Sequence, residues 1–346
     1  MNSVSPQSSP ASAWFLVGCT ASGKTAVADA LARRLGATVI SADSMLVYRG
    51  MDVGTAKPTL AERAGVDLRC LDLADPDEPF SAGRWLAAAR VALAEADAAG
   101  RDAIVAGGTG LYVSALLRGL DASAADPGRR TELEALLERE GLEALAARAE
   151  ALEAGSTART DARNPRRLVR LVEILEARTG SVPHAEPRTG SVPHAEPVSH
   201  AESAGSVPST SSTFSTPSTP LVGLDFPAEA LNERIGRRAR AMFEGGLLEE
   251  VRGLCERFPG FERSTAGAGI GYAEALAVLR GGLSVDEAVE RTALRTRRLA
   301  KKQRTWWRHQ ARVEWVPGPV DEADVPRAAR DVLALWRKHG KVPVAP

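Results

Sequence analysis

The chain has 346 residues, 44 basic and 44 acidic side chains, zero formal net charge and 44% hydrophobic residues, the profile of a soluble protein of one large domain or two modest ones. No apolar run is long enough to span a bilayer, and three cysteines without a spaced pair (Cys19, Cys70, Cys255) argue against a disulfide framework or a zinc site. Zero net charge excludes little here, because it averages an acid-free basic stretch at 291–312 and a second basic cluster at 163–170 with acids gathered in 60–103 and 132–153; such local patches are what a polyanion meets.

Residues 1–12 are Ser- and Pro-rich, lack the basic and apolar regions of a signal peptide, and are expected to be disordered. The apolar run Trp14-Phe15-Leu16-Val17 predicts a strand. It feeds Gly18-Cys19-Thr20-Ala21-Ser22-Gly23-Lys24-Thr25 and then a helix, with Val27, Leu31 and Leu35 at helical spacing and Gly36 as its stop. A second strand is predicted at 38–42, ending on Asp43-Ser44, followed by a Gly/Pro-punctuated loop that carries Lys57. A third strand is expected at 68–73, an Ala-rich helix at 80–99, a short buried strand at 103–106 running into Gly107-Gly108-Thr109-Gly110, and a helix at 111–117. Strands alternating with helices predict an α/β fold, a doubly wound parallel sheet.

From 121 to 180 the pattern changes to helices at 127–154 and 164–178 with no strand between, which predicts an inserted helical subdomain. The decapeptide RTGSVPHAEP at 178–187 recurs identically at 188–197 and is followed by residues that are almost all Ser, Thr, Pro, Ala and Gly. This composition cannot bury a core, so 181–219 is expected to be a disordered linker. Order resumes with a strand at 221–225, helices at 228–243 and 246–257, a glycine-rich joint at 267–271, a helix at 272–280, one or two basic helices within 284–311, of which Leu294, Leu299 and Trp306 are expected to pack one face on the core, and a strand at 313–316. Residues 317–346 read as a tail with one helix at 326–338. The α/β core is therefore expected in two parts, 13–120 and 220–316.

The loop at 18–25 fits the phosphate-binding pattern of Gly, four residues, Gly-Lys-Thr. Its glycines let successive amides and a helix N-terminus face an anion, Lys24 adds charge, and the Thr25 hydroxyl can ligate Mg²⁺. Six lysines among 44 basic residues make a lysine in this slot less of an accident. Most proteins with this loop are NTPases or kinases, which place an Asp at the end of a buried strand to hold the metal. The strand at 103–106 ends instead in Gly-Gly-Thr, which counts against a motor or switch NTPase. Outside the repeat region the only histidines are His309 and His339, so a general base must be a carboxylate. Asp43, outside the carboxyl end of a strand, is the best placed.

The stretches GCTASGKT, ISADSMLVYRGMDVGTAKPT, VAGGTGLYVSALLRGL, NPRRLVRLVEILEARTG, GIGYAEAL and TRRLAKKQRTWWR, in this order over most of residues 14–316, resemble the tRNA dimethylallyltransferases. The resemblance implies transfer of a dimethylallyl group from dimethylallyl diphosphate to the exocyclic 6-amino group of the adenosine next to the anticodon, in tRNAs reading codons that begin with U, with release of diphosphate. It implies a diphosphate site at Gly18, Thr20, Ala21, Ser22, Gly23, Lys24 and Thr25, with Mg²⁺ at Thr25. Asp43, Thr109 and Arg234 are implied as catalytic, Asp43 taking a hydrogen bond or proton from the amine, although Arg237 and Arg238 lie one turn from Arg234. It implies contacts to the tRNA anticodon stem-loop from Asp43, Ser44, Met45, Leu46, Thr109, Arg130, Arg166, Arg167 and Arg170. It also implies a base flipped out of its stack, a cytoplasmic location, a monomer and no membrane partner. Leu46 stands where the family often has Gln, the 181–219 repeat replaces part of the usual helical insertion, and GAGIG replaces a bulkier joint. A small-molecule enzyme on the same scaffold (an adenylate prenyltransferase or nucleoside-type kinase) would not need the basic stretches. A non-catalytic RNA-binding relative would not need Lys24, Thr25, Asp43 and Thr109 intact.

Overall fold

The computed structural model describes residues 11–120, 127–179 and 219–345. Its elements run β1 (Ser12–Gly18), α1 (Lys24–Leu35), β2 (Thr38–Ser41), β3 (Leu68–Arg69), α2 (Ala82–Ala98), β4 (Ala103–Gly107) and α3 (Gly110–Arg118). Then come α4 (Pro127–Leu152), α5 (Pro165–Thr179), β5 (Leu221–Asp225), α6 (Ala228–Glu244), α7 (Leu247–Arg257), α8 (Tyr272–Leu279), α9 (Val285–Gln310), β6 (Val313–Pro317), α10 (Val325–His339) and β7 (Val342–Pro343). The described residues form two compact units, 11–120 with 219–345, and 127–179. The expected linker at 181–219 lies, but for its last residue, outside the described residues, as does most of the N-terminal lead.

In the first unit the sheet order is β3-β2-β4-β1-β5-β6, all parallel, with β7 antiparallel to the start of β1. This is the α/β arrangement that strand–helix alternation predicts. Side chains of β1 alternate between two cores, as the twofold period of a strand requires. Phe15 and Val17 pack with Trp85, Tyr112 and Trp307 on one face, and Leu16 packs with Val27, Leu31, Val332 and Trp336 on the other. A strand buried on both faces reads as a continuous apolar run, which is how residues 14–17 read. Trp85 stacks on Tyr112 at 4.6 Å and donates its indole N–H to the Ser41 carbonyl at 2.8 Å, tying α2 and α3 to the end of β2, two residues before Asp43.

Four sequence expectations change. The strand expected at 68–73 stops after Arg69, because Cys70 (φ 63°) and Asp72 (φ 52°) adopt left-handed backbone. The chain turns there to bond the 46–49 loop instead, Leu73 N–H donating to Val47 O at 2.7 Å. The helix expected at 127–154 is broken at Gly141 (φ 81°, ψ −176°). The segment at 317–346 is no tail: α10 packs on α1, Trp336 stacks on Trp14 at 5.4 Å, and β7 extends the sheet. In α9, a single helix with a Ser284/Glu287 capping box, Leu294 and Leu299 are 45% and 38% exposed rather than core-facing. Val289, Ala293, Ala300 and Trp307 form its buried face.

The second unit is α4 and α5, with its own core of Leu133, Leu145, Ala149, Leu168 and Val172. Two buried carboxylates organise its arginines. Glu173 accepts both nitrogens of Arg130 at 2.8 and 2.9 Å and Arg170 at 3.1 Å, while Glu176 accepts Arg129 and Arg148, each at 2.6 Å. Among the described residues of the chain, no helix is long and apolar enough to cross a membrane.

Candidate active site

The loop between β1 and α1 turns on left-handed residues. Ala21 sits at φ 63° and Gly23 at φ 87°, where a Cβ on Gly23 would also come within 2.6 Å of the Pro319 ring. Successive amides in such a turn form a concavity for an anion at the N-terminus of α1. The Lys24 ammonium donates to the Cys19 carbonyl and lies 3.5 Å from Ser22 Oγ. Burial holds it down to about 8, with the nearby Asp43 among the groups pulling it back up. A cation so destabilised by desolvation is favoured again when an anion enters.

Residues 20–26 form one wall of a cleft of ≈ 590 Å³, with Asp43, Leu46, Thr55, Arg234, Arg237 and Arg238 among the other walls. A second cavity of ≈ 460 Å³ shares Thr20, Asp43, Thr55 and Arg238 with the first. Its lining includes Ser44, Met45, Thr109, Ile235, Tyr272 and Trp306. The first cavity is thus cationic, the second has mostly apolar walls with Arg238, Arg295 and Lys302 among them, and Asp43 stands where they meet.

Asp43 is held by its own backbone: Oδ1 accepts the Met45 N–H at 2.9 Å, and Oδ2 has no hydrogen-bond partner among the described residues. Thr109 occupies the N-cap position of α3, but its hydroxyl makes no cap bond. Oγ1 instead accepts the Ser44 N–H at 3.1 Å, and Thr109 N–H donates to Ala42 O at 3.0 Å. Both bonds lock the Asp43 turn to the end of β4. A Cβ on Gly107 would sit 2.2 Å from the Ala42 carbonyl, so that close approach requires glycine.

The sequence-predicted residues Thr20 to Thr25, Asp43 and Leu46 therefore line the first cavity, and Thr20, Asp43, Ser44, Met45 and Thr109 the second, while Gly18 ends β1. Arg234 reaches the first cavity, where Nη1 donates to the carbonyls of Ala21 and Pro319 at 3.2 Å and Nη2 to that of Val320 at 3.5 Å. Arg130, Arg166, Arg167 and Arg170 belong to the helical unit. Arg166 and Arg167 are exposed on the first turn of α5, whereas Arg130 and Arg170 are paired with Glu173.

Three supports escape sequence reasoning. Gln303 of α9 accepts the Thr20 N–H at 2.7 Å and donates to Gly108 O at 3.0 Å, stapling the phosphate loop to the loop that carries Thr109. Glu250 of α7 accepts the N–H groups of Asp52, Val53 and Gly54 (2.9, 2.7 and 3.3 Å) and the Tyr272 hydroxyl at 2.7 Å. Burial, and then Glu250, push the Tyr272 phenol far up, so it stays a donor. Buried Lys57 pairs with Asp52 and Asp72, each at 2.7 Å. A signal for Gln303 exists in the sequence: it is an uncharged polar residue at helical spacing from Ala300 and Trp307, inside an otherwise basic run.

Known proteins are similar to this chain over most of its length. The family model for IPP transferase matches residues 46–310, and that for isopentenyl transferase matches residues 11–75. The tRNA dimethylallyltransferase of Anaeromyxobacter dehalogenans is 44% identical over 308 residues, 89% of this chain and 95% of its own. That of Thermus thermophilus is 39% identical over 323 residues, 93% and 95% of the two chains. The crystal structure of the full-length tRNA isopentenylpyrophosphate transferase of Bacillus halodurans superposes with a TM-score of 0.63 at 31% identity, covering 95% of this chain and 98% of that one. A eukaryotic dimethylallyltransferase solved acting on tRNA shares the fold, with a TM-score of 0.70 at 21% identity over 95% of this chain and 76% of that one.

Proposed function

This chain belongs to the IPP transferase family, and from that premise we propose that it transfers a dimethylallyl group from dimethylallyl diphosphate to the exocyclic 6-amino group of the adenosine 3′-adjacent to the anticodon of tRNAs reading codons that begin with U. The observation that carries the reading is the placement of Asp43 where a cationic cavity meets an apolar one.

The donor diphosphate lies against residues 18–25, its charge met by loop amides, the N-terminus of α1 and Lys24. The dimethylallyl tail points into the apolar cavity, toward the adenine. The base enters that cavity flipped from its stack, at the cost of a few kcal/mol that contacts to the tRNA offset. Asp43, through the oxygen not spent on Met45, accepts a hydrogen bond from the 6-amino group and orients it. Nitrogen attacks the allylic carbon as the carbon–oxygen bond breaks. The electron pair leaves on diphosphate and the amine proton goes to Asp43. Thr109 and Gln303 keep donor and acceptor loops in register, because a small misplacement in a two-substrate displacement is costly.

Among the described residues no three His, Cys, Asp or Glu side chains gather to cage a metal. The Thr25 hydroxyl, exposed on the first turn of α1 and lining the cationic cavity, is a hard oxygen donor suited to Mg²⁺ shared with substrate phosphates and water. When bound, that ion offsets charge developing on the leaving diphosphate.

Arg166 and Arg167 meet the phosphates of the anticodon stem, while Arg130 and Arg170 contribute net positive field around Glu173. The chain acts on its substrate as a monomer in this reading, and tRNA as substrate supports a cytoplasmic site of action. Transfer from labelled dimethylallyl diphosphate to tRNA, to the isolated anticodon stem-loop and to AMP tests the reading. Label on tRNA and stem-loop but not on AMP is expected; label on AMP alone contradicts it.

A further inference from the structure

The two adjacent tryptophans near the end of α9 have different surroundings. Trp307 is fully buried, in one core with Phe15 and Trp85. Trp306 is half-buried and lines the second cavity. Its indole meets Trp307 edge to face, with ring centroids 4.6 Å apart and planes at 88°. Its six-membered ring rests on Gly110, where a Cβ would come within 2.6 Å of three ring atoms. Gly110 has no left-handed backbone of its own, so the residue there is glycine because an indole occupies the place of its side chain. The other aromatic residue lining this cavity, Tyr272, is fully buried and gives its hydroxyl to Glu250. Among the described lining residues, Trp306 is therefore the one aromatic ring with surface left uncovered.

The seat of this indole is tied to the Asp43 turn. Gly110 follows Thr109, whose Oγ1 accepts the N–H of Ser44, the residue after Asp43, at 3.1 Å. On its own helix Trp306 lies one turn beyond Gln303, which bonds Thr20 and Gly108. The ring, the Asp43 turn and the phosphate loop thus share one framework. Within it Trp306 is on the acceptor side, for it lines the second cavity and not the first. A large, rigid ring held against a glycine and a second indole, with one part open to a cavity, suits a flat partner.

We propose that Trp306 is the stacking wall of the acceptor pocket, with the flipped adenine lying on its uncovered surface and the 6-amino edge turned toward Asp43. This rests on the prenyl-transfer reading. An adenine drawn out of its stack loses contact with its neighbouring bases, and an aromatic wall replaces that contact. Stacking fixes the plane of the base, and the hydrogen bond to Asp43 fixes its rotation within that plane. Together they present the nitrogen to the allylic carbon. Trp306 takes no proton and carries no charge in this role. Every base offers a π-face, so Trp306 supplies grip, and the choice of an amino group is left to Asp43.

The test has two arms. In the first, an anticodon stem-loop carrying 2-azidoadenine at the target position is bound to the wild-type chain and photolysed, and the adduct is mapped by mass spectrometry. It is expected on Trp306; adducts found only at other residues overturn the proposal. In the second, W306L, W306F and G110A are compared with wild type by single-turnover transfer to the stem-loop, pyrophosphate affinity and thermal melting. W306L is expected to lower the transfer rate by roughly 10- to 100-fold with pyrophosphate affinity unchanged. W306F keeps a ring and is expected to recover most of that rate. G110A keeps the indole but displaces it from its seat, and is expected to slow transfer as W306L does. W306L at the wild-type rate, or W306F as slow as W306L, overturns the proposal. Should W306L fail to fold, G110A at the wild-type rate overturns it. A wild-type chain that transfers label to no RNA acceptor contradicts the prenyl-transfer reading itself, a result distinct from these.

Discussion

The arginines and carboxylates of the two units are used in opposite ways. In α4 and α5 the buried acids Glu173 and Glu176 each gather two arginines, so charge is spent on holding two helices together. In the α/β unit Asp43, the proposed acceptor of the amine, takes one backbone N–H and keeps an oxygen in reserve, and Arg238 beside it is enclosed with its Nε unpaired. Charge that is fully paired stabilises a fold. Charge that is enclosed and incompletely paired is stored for a ligand.

Breaking this contrast at its strongest point means Asp43→Asn. It is expected to lower single-turnover transfer by about 10²- to 10⁴-fold while tRNA affinity stays at the wild-type value; an equally active variant would remove Asp43 from the chemistry. In the helical unit, Glu173→Ala strips Arg130 and Arg170 of their shared partner. Because both guanidiniums are partly exposed, the cost is less than for a fully buried pair, about 1–3 kcal/mol. Amide hydrogen exchange in α4 and α5 should accelerate to match, with kcat at saturating tRNA unchanged; slowed chemistry would break the contrast.

Gln303→Ala sharpens it. The side chain joins the phosphate-binding-type loop at Thr20 to the loop at Gly108 that leads into Thr109 and the Asp43 turn. Its loss should lower kcat by roughly 10- to 100-fold, with little change in tRNA Kd. A variant altered in tRNA Kd alone would make Gln303 part of the nucleic-acid surface instead. The smallest effect expected is that of Arg166→Ala with Arg167→Ala. Removing two exposed phosphate contacts should reduce the salt slope of tRNA binding by about 1 to 2 and leave melting unchanged. An unaltered slope would place the tRNA surface elsewhere.

Much of this was legible in the sequence wherever the physics is local. Gly18 to Thr25 carries its own geometry, and the run 14–17 its own burial on two faces. Gly23 and Gly36 carry their own left-handed backbone. What the sequence hid depends on contacts between distant residues. Gln303 and Thr20 are 283 positions apart, and no spacing rule joins them. The expected third strand failed because Cys70 and Asp72, neither of them glycine, take left-handed backbone, with Asp72 held by Lys57 at 2.7 Å. The tail was misjudged because its value lies in the partners it meets, Trp14 and the start of β1. In α9 the charges were plain but the buried face was not, since exposed Leu294 and Leu299 interrupt the pattern. The distinction among Arg234, Arg237 and Arg238 is likewise invisible in sequence, because it depends on which carbonyls each one meets.

The most direct measurement is a crystal structure of the chain with an anticodon stem-loop and an unreactive thiolo-diphosphate analogue of the donor. The diphosphate should lie on residues 18–25, and the flipped adenine should place its 6-amino nitrogen about 3 Å from the oxygen of Asp43 not bonded to Met45. An adenine amine bound away from Asp43, or a diphosphate held outside the loop, would contradict the claim that the two cavities meet at the reacting atoms.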